Sequence, residues 1–162
     1  MIKIRQAREK DLEVIYRIGL CEEGSAVSPK TRFYGKEYIR RWLKNLGEEI
    51  LLIGEIDGKV GGFIFCSLMQ NTWAMLENLV VAPWARGKGL GAAFLKELLR
   101  QLNERGIDYI GSWVRAENKE ALKFLEKRGF RRGYQFLWIE KMTRPLWLEH
   151  KRDLKRFKEE KL

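Results

Sequence analysis

Apolar residues recur along the chain at two spacings, about every second residue and about every third or fourth residue, which are typical of strands and helices respectively. Ile2 to Arg5 alternate apolar and basic residues and predict a half-buried strand, and Glu9 to Leu20 carry apolar residues at helical spacing. Residues 22 to 32 are rich in Gly, Ser and Pro and predict a loop. The apolar stripe from Tyr34 to Leu46, ended by Gly47, predicts a second helix.

The middle of the chain predicts three consecutive strands. Apolar segments from Ile50 to Ile56 and from Val60 to Met69 are joined by Asp57-Gly58, a dipeptide that strongly favours a two-residue hairpin turn. A third strand, Trp73 to Val81, follows the turn residues Gln70-Asn71. Because short connections join antiparallel neighbours, these three strands predict an antiparallel meander.

A long helix and a further strand follow the meander. Pro83 ends the third strand, and a glycine-rich turn leads into a helix whose apolar face runs from Leu90 to Leu102. Gly106 closes that helix, since glycine is the usual residue just beyond a helix end. Tyr109 to Val114 then predicts a strand.

The C-terminal part predicts a helix, a strand and a helical tail. The helix runs from Asn118 to Arg128 and the final strand from Gly133 to Met142. The tail, Pro145 to Leu162, has one apolar face, and its residues are Trp147, His150, Leu154 and Phe157. We expect this helix to dock on the domain or on a second subunit in a homodimer. His150, the only histidine, lies on the apolar stripe and is interpreted as a packing residue.

The length of 162 residues fits one domain with a buried core, and we expect a core of residues 1–143 with a helical extension at 145–162. The order of elements predicts an α/β (α+β) fold with a mixed central sheet, an N-terminal antiparallel meander and flanking helices. Cys21 and Cys66 are too far apart to suggest a metal site or a disulfide framework. No hydrophobic leader or membrane-length apolar run is present, so we expect a cytoplasmic protein without membrane partners.

The chain is strongly basic, with 32 Lys and Arg against 22 Asp and Glu and a net charge of +10. A ligand with several phosphates would account for part of this excess. Nucleic acid is the other explanation, but no basic run is interleaved with aromatic residues as a stacking platform requires. Abundant charge with few Gln and Asn also resembles proteins from hot environments, where ion-pair networks are favoured.

Three alternating glycines, Gly87, Gly89 and Gly91, open the long helix after a strand. Such a turn lets backbone amides approach a phosphate, and the helix start adds unpaired N–H groups. A magnesium-binding P-loop is excluded, since Lys88 is followed by Gly89 and not by Ser or Thr. A dinucleotide fingerprint ending at Ala92 remains an alternative, although a hairpin meander precedes it, and so does a glycine turn that binds no ligand.

Two motifs resemble the GNAT acetyltransferase family over roughly residues 2 to 142. Arg86-Gly87-Lys88-Gly89-Leu90-Gly91 is similar to the family's Q/R-x-x-G-x-G/A pyrophosphate loop. The segment from Asn118 to Phe130, NKEALKFLEKRGF, is similar to the family's N-x-x-A-x-x-F-Y-E-K-x-G-F segment. The resemblance implies an acetyl-CoA-dependent N-acetyltransferase that needs no metal.

The resemblance also implies which residues bind acetyl-CoA. Residues of one strand offer backbone groups to the pantetheine arm, the glycine loop wraps the pyrophosphate, and the second motif contacts the cofactor from a neighbouring helix. These residues are Leu79, Val80, Val81, Arg86, Gly87, Lys88, Gly89, Leu90, Gly91, Ala92, Asn118, Ala121 and Phe124. Leu79 and Val81 also fit as core residues, and Asn118 fits equally as the N-cap of its helix.

Glu77 is the candidate general base. Strand alternation would place it on one face with Leu79 and Val81, and similar LEN segments in the family use this glutamate. A salt-bridged or solvated carboxylate is the alternative interpretation. Leu125 stands where many members have a tyrosine acid and Trp113 where some have a glutamate, so those roles do not carry over. An ordered water or Tyr134 could assist the leaving thiolate, although Tyr134 also fits as a packing residue.

The sequence does not identify the acceptor, which would be an amine on a small molecule, a lysine or a protein N-terminus. We expect its walls to come from residues 9–47 and 129–135. Two other classes of function stay open: a GNAT-fold module that binds acetyl-CoA without transferring it, and a basic RNA- or ribosome-associated protein.

Overall fold

The computed structural model describes residues 1–25, 32–69, 72–141 and 146–159, with the side chains of residues 25, 146–150, 158 and 159 left out of the description. Five strands and five α-helices follow one another along these residues. They are β1 (Ile2–Gln6), α1 (Leu12–Cys21), α2 (Lys36–Lys44), β2 (Ile50–Ile56), β3 (Lys59–Met69), β4 (Trp73–Val81), α3 (Leu90–Glu104), β5 (Ile110–Ser112), α4 (Lys119–Glu126) and α5 (Leu146–Glu159). They form two compact units, one holding residues 1–112 with α5 and one beginning at Trp113 and holding α4.

The sheet of the first unit has the strand order β1-β2-β3-β4-β5. The pairs from β1 to β4 are antiparallel, and β5 runs parallel to β4 over Ala74–Leu76 and Ile110–Ser112. The turn between β2 and β3 has positive φ at both Asp57 (50°) and Gly58 (81°), as a type I′ turn requires. The predicted meander and the mixed sheet are confirmed.

Helix α3 covers one face of the sheet, and a glycine permits its close approach. A Cβ added at Gly54 of β2 would lie 2.5 Å from the ring of Phe94 and 2.6 Å from Leu90. The missing side chain thus leaves room for the helix, and the apolar stripe predicted for this helix packs against the sheet. Leu90, Phe94, Leu95, Leu98 and Leu102 are all buried.

Helices α1, α2 and α5 cover the opposite face, with an aromatic core between them and the sheet. Trp42 of α2 stacks on Phe65 of β3 at 4.1 Å between ring centroids. Phe157 of α5 lies edge-on to Tyr16 of α1, whose hydroxyl donates to Oδ2 of Asp153 at 2.8 Å. The tail helix is therefore confirmed, and it docks on its own unit.

The second unit contains α4 and an extended segment. Asn118 caps α4, because its Oδ1 accepts a hydrogen bond from the N–H of Ala121 at 3.1 Å. The strand predicted at Gly133 to Met142 is wrong: residues 133–141 have no strand pairing, and their side chains are exposed. The segment is rich in aromatic and apolar residues, which favour a strand, but a strand also needs a hydrogen-bonding neighbour, and the described part of this unit lacks one.

Several predictions fall on residues outside the described ranges. The turn Gln70-Asn71, residues 26–31 of the predicted loop and Met142 lie outside them, as do residues 145 and 160–162 at the two ends of the tail. The side chains of Trp147 and His150 also lie outside the description. Among the helices that are described, none is long and apolar enough to span a membrane.

Candidate active site

A β-bulge interrupts the pairing of β4 with β3 at Glu77. Phe65 pairs with Asn78, whereas the next residue, Cys66, pairs with Leu76. Glu77 is therefore the extra residue of β4, and no residue of β3 lies directly opposite it. A bulge bends its strand and re-aims the side chain beside it, so Glu77 lies at a special point of an otherwise regular strand.

The bulge changes the face to which Glu77 belongs. Leu79 pairs with Ile64, which in turn pairs with Leu52, and these residues lie on the face covered by α3. The side chain of Glu77 instead accepts a hydrogen bond from Ser67. Ser67 lies two residues after Phe65 on β3 and therefore shares its face, which α1 and α2 cover. The expectation that Glu77 shares a face with Leu79 and Val81 is wrong. Side chains alternate strictly between the two faces of a sheet only where each strand residue pairs with one residue of the neighbouring strand. The extra residue of the bulge breaks this alternation, so the residues before and after it change faces by one position.

Glu77 is exposed but held in place. The hydroxyl of Ser67 donates to its Oε1 at 2.8 Å. Tyr34, which precedes α2, packs at 4.9 Å from the ring of Trp42 and lies near both Glu77 and the buried amide of Asn78. A carboxylate that is oriented by neighbours and still reachable from solvent can accept a proton from an incoming ligand.

The negative charge of Glu77 affects several groups around it. Burial first, and then this charge, raise the pKa of Tyr34 to about 12 and that of the Cys66 thiol to about 12. Burial and the charges of Glu77 and Glu48 raise the pKa of Glu49. Tyr34 and Cys66 are therefore protonated at neutral pH, and Tyr34 can act only as a donor toward the carboxylate.

Beyond the bulge, the edge of β4 on the side of β5 has no strand partner in the described part of the first unit. Parallel pairing ends at Leu76 and Ser112, and no described strand of this unit pairs with Leu79, Val80 and Val81 on that side. Peptide groups that point to this edge need hydrogen-bonding partners. An extended ligand with amide groups, such as a pantetheine arm, has the chemistry to supply them.

The glycine loop that follows β4 has the backbone of an anion site. Gly87 (φ 72°) and Gly89 (φ 86°) are left-handed, and added Cβ atoms would meet nothing within 4 Å at Gly87 and only Ile2 at 3.7 Å at Gly89. The loop thus faces open space. The first backbone hydrogen bond described for α3 joins the N–H of Ala93 to the carbonyl of Gly89 at 3.0 Å. The N–H groups that precede Ala93 in the first turn of α3 are therefore available to a ligand.

Cations flank this loop. The ammonium groups of Lys59 and Lys88 lie 4.7 and 5.3 Å from the ring centre of Trp84. Arg86 turns back toward β4, where its Nε donates to the carbonyl of Val81 at 3.2 Å and its guanidinium pairs with Glu22. Open glycines, free helix-start amides and Lys88 fit a diphosphate, and the predicted residues from Leu79 to Ala92 all belong to the first unit.

The other predicted site residues belong to the second unit. Asn118 acts as the helix cap, Ala121 supplies the N–H that it accepts, and Phe124 lies one turn further along the same helix. The ring of Phe124 is covered by the guanidinium of Arg128, at 3.7 Å. Within this unit Leu125 is buried, whereas Trp113 and Tyr134 are exposed.

Four polar residues around Glu77 were not predicted from the sequence: Tyr34, Glu49, Ser67 and Asn78. A signal existed only for Asn78, a polar residue in the apolar run of β4 that proves buried. The others come from separate elements, and the pattern of a single segment cannot show that they meet. In the described part of the chain no group of side chains could hold a metal ion.

The chain matches the profile of the acetyltransferase (GNAT) family over residues 12–130. It belongs to that family. It is 27% identical over 140 residues to an uncharacterised N-acetyltransferase of Archaeoglobus fulgidus, covering 81% of this chain and 94% of that protein. With a similar protein of Methanocaldococcus jannaschii the identity is 29% over 96 residues, 56% of this chain and 42% of that protein.

A third relative has been solved as a structure. The ribosomal-protein-S18-alanine N-acetyltransferase of Escherichia coli is 34% identical over 74 residues, 46% of this chain and 49% of that protein. Its crystal structure superposes with a TM-score of 0.68 at 25% identity, covering 83% of this chain and 80% of that one. The matched segments thus cover about half or less of the length of the M. jannaschii and E. coli proteins. The predicted family and fold class are confirmed by these matches, and the relatives are named N-acetyltransferases.

Proposed function

We propose that this chain transfers the acetyl group of acetyl-CoA to a primary amine, with Glu77 as the general base and residues 79–81 and 86–92 as binding residues. One observation carries the proposal: the bulge at Glu77, the open edge of β4 and the glycine loop follow one another within 16 residues of one unit. A proton acceptor and a phosphate-binding turn are thereby connected by a single strand.

The energetics of the reaction explain why a base is needed. An alkylamine with a pKa near that of lysine, about 10.4, is almost wholly protonated at pH 7, and presenting it as the free amine costs about 4 to 5 kcal/mol. Glu77 takes that proton, directly or through a water, while Ser67 and Tyr34 orient its carboxylate. The neutral nitrogen then attacks the thioester carbonyl. Acetyl-CoA supplies the activated acetyl group.

The departure of the thiolate needs less help. A thiol of pKa about 8.5 leaves as a thiolate at pH 7 with a deficit of only about 2 kcal/mol, which a solvent water can meet. This fits a chain in which Leu125 stands at the position where many members of the family have a tyrosine. Tyr134 is an exposed residue of the second unit, and we assign it no step.

The acceptor class follows from the same site and from the relatives. We propose a primary amine on a small molecule, a lysine or a protein N-terminus; the E. coli relative acts on the alanine of a ribosomal protein. Asn118, Ala121 and Phe124 are proposed as further cofactor contacts. We further propose one acetyltransferase domain, since the family match includes parts of both units, in a cytoplasmic and heat-adapted protein that can form a homodimer.

Glu77→Gln tests the proposed base. We expect acetyl-CoA affinity within about twofold of wild type, but a turnover at pH 7 lower by about 10²- to 10⁴-fold, which is typical of a lost general base. The loss should shrink as pH rises toward the pKa of the amine, because more substrate then arrives neutral. Release of free thiol from acetyl-CoA with a panel of amines measures turnover, and calorimetry measures binding.

Glu104→Gln at the C-terminal end of α3 is the matched control, because it removes the same charge from an exposed carboxylate on the helix that covers the other face of the sheet. It should retain full turnover. Undiminished turnover of Glu77→Gln with the best amine at pH 7 would contradict the assignment of Glu77. Thiol release that no amine stimulates would contradict acetyl transfer itself.

A further inference from the structure

Glu49 is a second carboxylate on the face of the sheet that carries Glu77. It directly precedes β2, and Ile50 pairs with Cys66, so continuing the register by one residue puts Glu49 beside Ser67. The hydroxyl of Ser67 donates to Glu77. The three side chains therefore form a row across β2, β3 and β4, on the face that α1 and α2 cover.

One oxygen of Glu49 has no partner. Its Oε2 is inaccessible to solvent, and no described group donates a hydrogen bond to it. Arg105, a cation of the same region, donates instead to the carbonyl of Gly47 at 3.2 Å. A buried carboxylate oxygen without a donor costs free energy, and such groups in native proteins call for an explanation.

Glu49 as a residue is only partly buried, so a ligand that carries N–H donors and turns the carboxylate toward itself would remove this cost. The neighbouring polar groups cannot do so: Glu77 repels Glu49, and the hydroxyl of Ser67 is already bonded to Glu77. Two nearby carboxylates attract a cation strongly, and an ammonium group has three donors that can bond to both. The aromatic rings of Tyr34 and Trp42 lie on the same face and suit the alkyl chain of such a ligand.

We propose that Glu49 accepts a hydrogen bond from the ammonium group of the acceptor and holds it beside Glu77, so that the site selects alkyl primary amines that arrive as cations. The inference rests on the acetyl transfer proposed above and adds the substrate class and a positioning residue. The ammonium group gives one proton to the carboxylate of Glu77, which becomes a carboxylic acid. Glu49 keeps its bond to a remaining N–H while the nitrogen lone pair attacks the thioester carbonyl. The C–S bond then breaks, CoA leaves as the thiolate, and the second proton of the nitrogen passes through water to that thiolate, so that an acetamide and free CoA are the products.

Benzylamine and aniline test this selection, since they have similar size but only benzylamine is a cation at pH 7. In Glu49→Gln we expect the KM for benzylamine to rise by about 10- to 100-fold, the value of one hydrogen bond to a charged group. The kcat should change by less than about threefold, and the affinity for aniline by less than about twofold. Glu48→Gln, an exposed neighbour with the same loss of charge, should change neither value.

Calorimetric titration of benzylamine into the protein with CoA bound gives a second measurement that requires no turnover. The same loss of affinity is expected in Glu49→Gln. Equal losses for benzylamine and aniline, or an unchanged affinity for benzylamine, would overturn the inference. If Glu77→Gln keeps its turnover while Glu49→Gln loses benzylamine affinity, the assigned base is wrong and the positioning residue stands.

Discussion

Two partly or fully buried carboxylates of this protein have opposite electrostatic surroundings. Burial by itself would raise the pKa of Asp11, but two hydrogen bonds from Arg5, at 2.7 and 2.8 Å, and one from the backbone of Arg8 outweigh it and lower that pKa. No described group donates a hydrogen bond to Oε2 of Glu49, and the pKa of Glu49 is raised. Asp11 is thus satisfied within the fold, whereas Glu49 is arranged for something outside it.

This contrast predicts how Glu49→Gln changes stability. Since the pKa of Glu49 is raised by folding, its contribution is fully present below its ordinary value of 4.5 and is lost as pH rises through the folded value. The glutamine variant cannot lose it. We expect the variant to unfold like wild type near pH 4 and to be more stable at pH 7 by about 1 kcal/mol or less, because the side chain is partly exposed and screened.

Urea denaturation of both proteins at the two pH values measures the difference. Glu49→Gln less stable than wild type at pH 7 would mean that the carboxylate supports the fold. Greater stability together with weaker amine binding would indicate a trade between stability and function, which is common at active sites.

At the scale of elements, the sequence pattern was informative wherever a segment specifies its own structure. Asp57-Gly58, the strand Trp73–Val81 and the stripe of α3 all depend on local spacing and were predicted closely. The bulge at Glu77 depends on the register between two strands, which no single segment contains. Because the bulge was not predicted, Glu77 was assigned to the wrong face, and one of the two grounds for choosing it as the base was lost. The likeness of its LEN segment to the family is the ground that remains.

The last predicted strand illustrates the same limit. Tyr134, Phe136 and Trp138 recur at every second residue, as strand residues often do, yet the described segment has no strand partner within its unit, and these rings are exposed. The residues around Glu77 were missed for a related reason. Tyr34 and Glu49 lie in two different connections and Ser67 lies in β3, so they come from three separate segments. Tertiary proximity, not periodicity, brings them together.

Gly89→Val tests the loop as an element. The positive φ of Gly89 strains any side chain, and the new methyl groups would fill the space in front of the helix-start amides. We expect a loss of about 1 to 2 kcal/mol of stability, the cost of a left-handed residue, and a loss of acetyl-CoA binding of at least about 100-fold. Calorimetry and urea denaturation measure the two effects.

Gly106→Val is the matched control at the other end of α3. Gly106 is also left-handed (φ 71°), and no atom lies within 4 Å of its added Cβ, so the strain is similar and the loop is untouched. It should lose comparable stability but keep acetyl-CoA affinity. If both variants bind acetyl-CoA like wild type, the glycine loop is not part of the site.

At the scale of the whole molecule, the excess of positive charge needs a partner. The net charge is +10, and Lys59 and Lys88 lie around Trp84 next to the glycine loop. A diffuse basic surface would attract any polyanion, with an affinity that falls steeply as salt rises. A shaped diphosphate site also uses backbone amides and helix-start groups, so its affinity should depend less on salt. Salt dependence therefore separates general attraction from a specific site.

Acetyl-CoA should stabilise the whole fold. A ligand that binds only the native state at a hundredfold excess over its Kd adds about 2.7 kcal/mol, which for a chain of this length corresponds to a rise in Tm of roughly 5 to 10 °C. We expect that rise with acetyl-CoA and CoA in a thermal melt, little change with NAD, and most of it retained at 0.5 M salt. Heparin, as a polyanion control, should shift the Tm only at low salt. A larger shift with NAD than with CoA would favour the dinucleotide interpretation of Gly87, Gly89 and Ala92, because that ligand would then be the one that fits the loop.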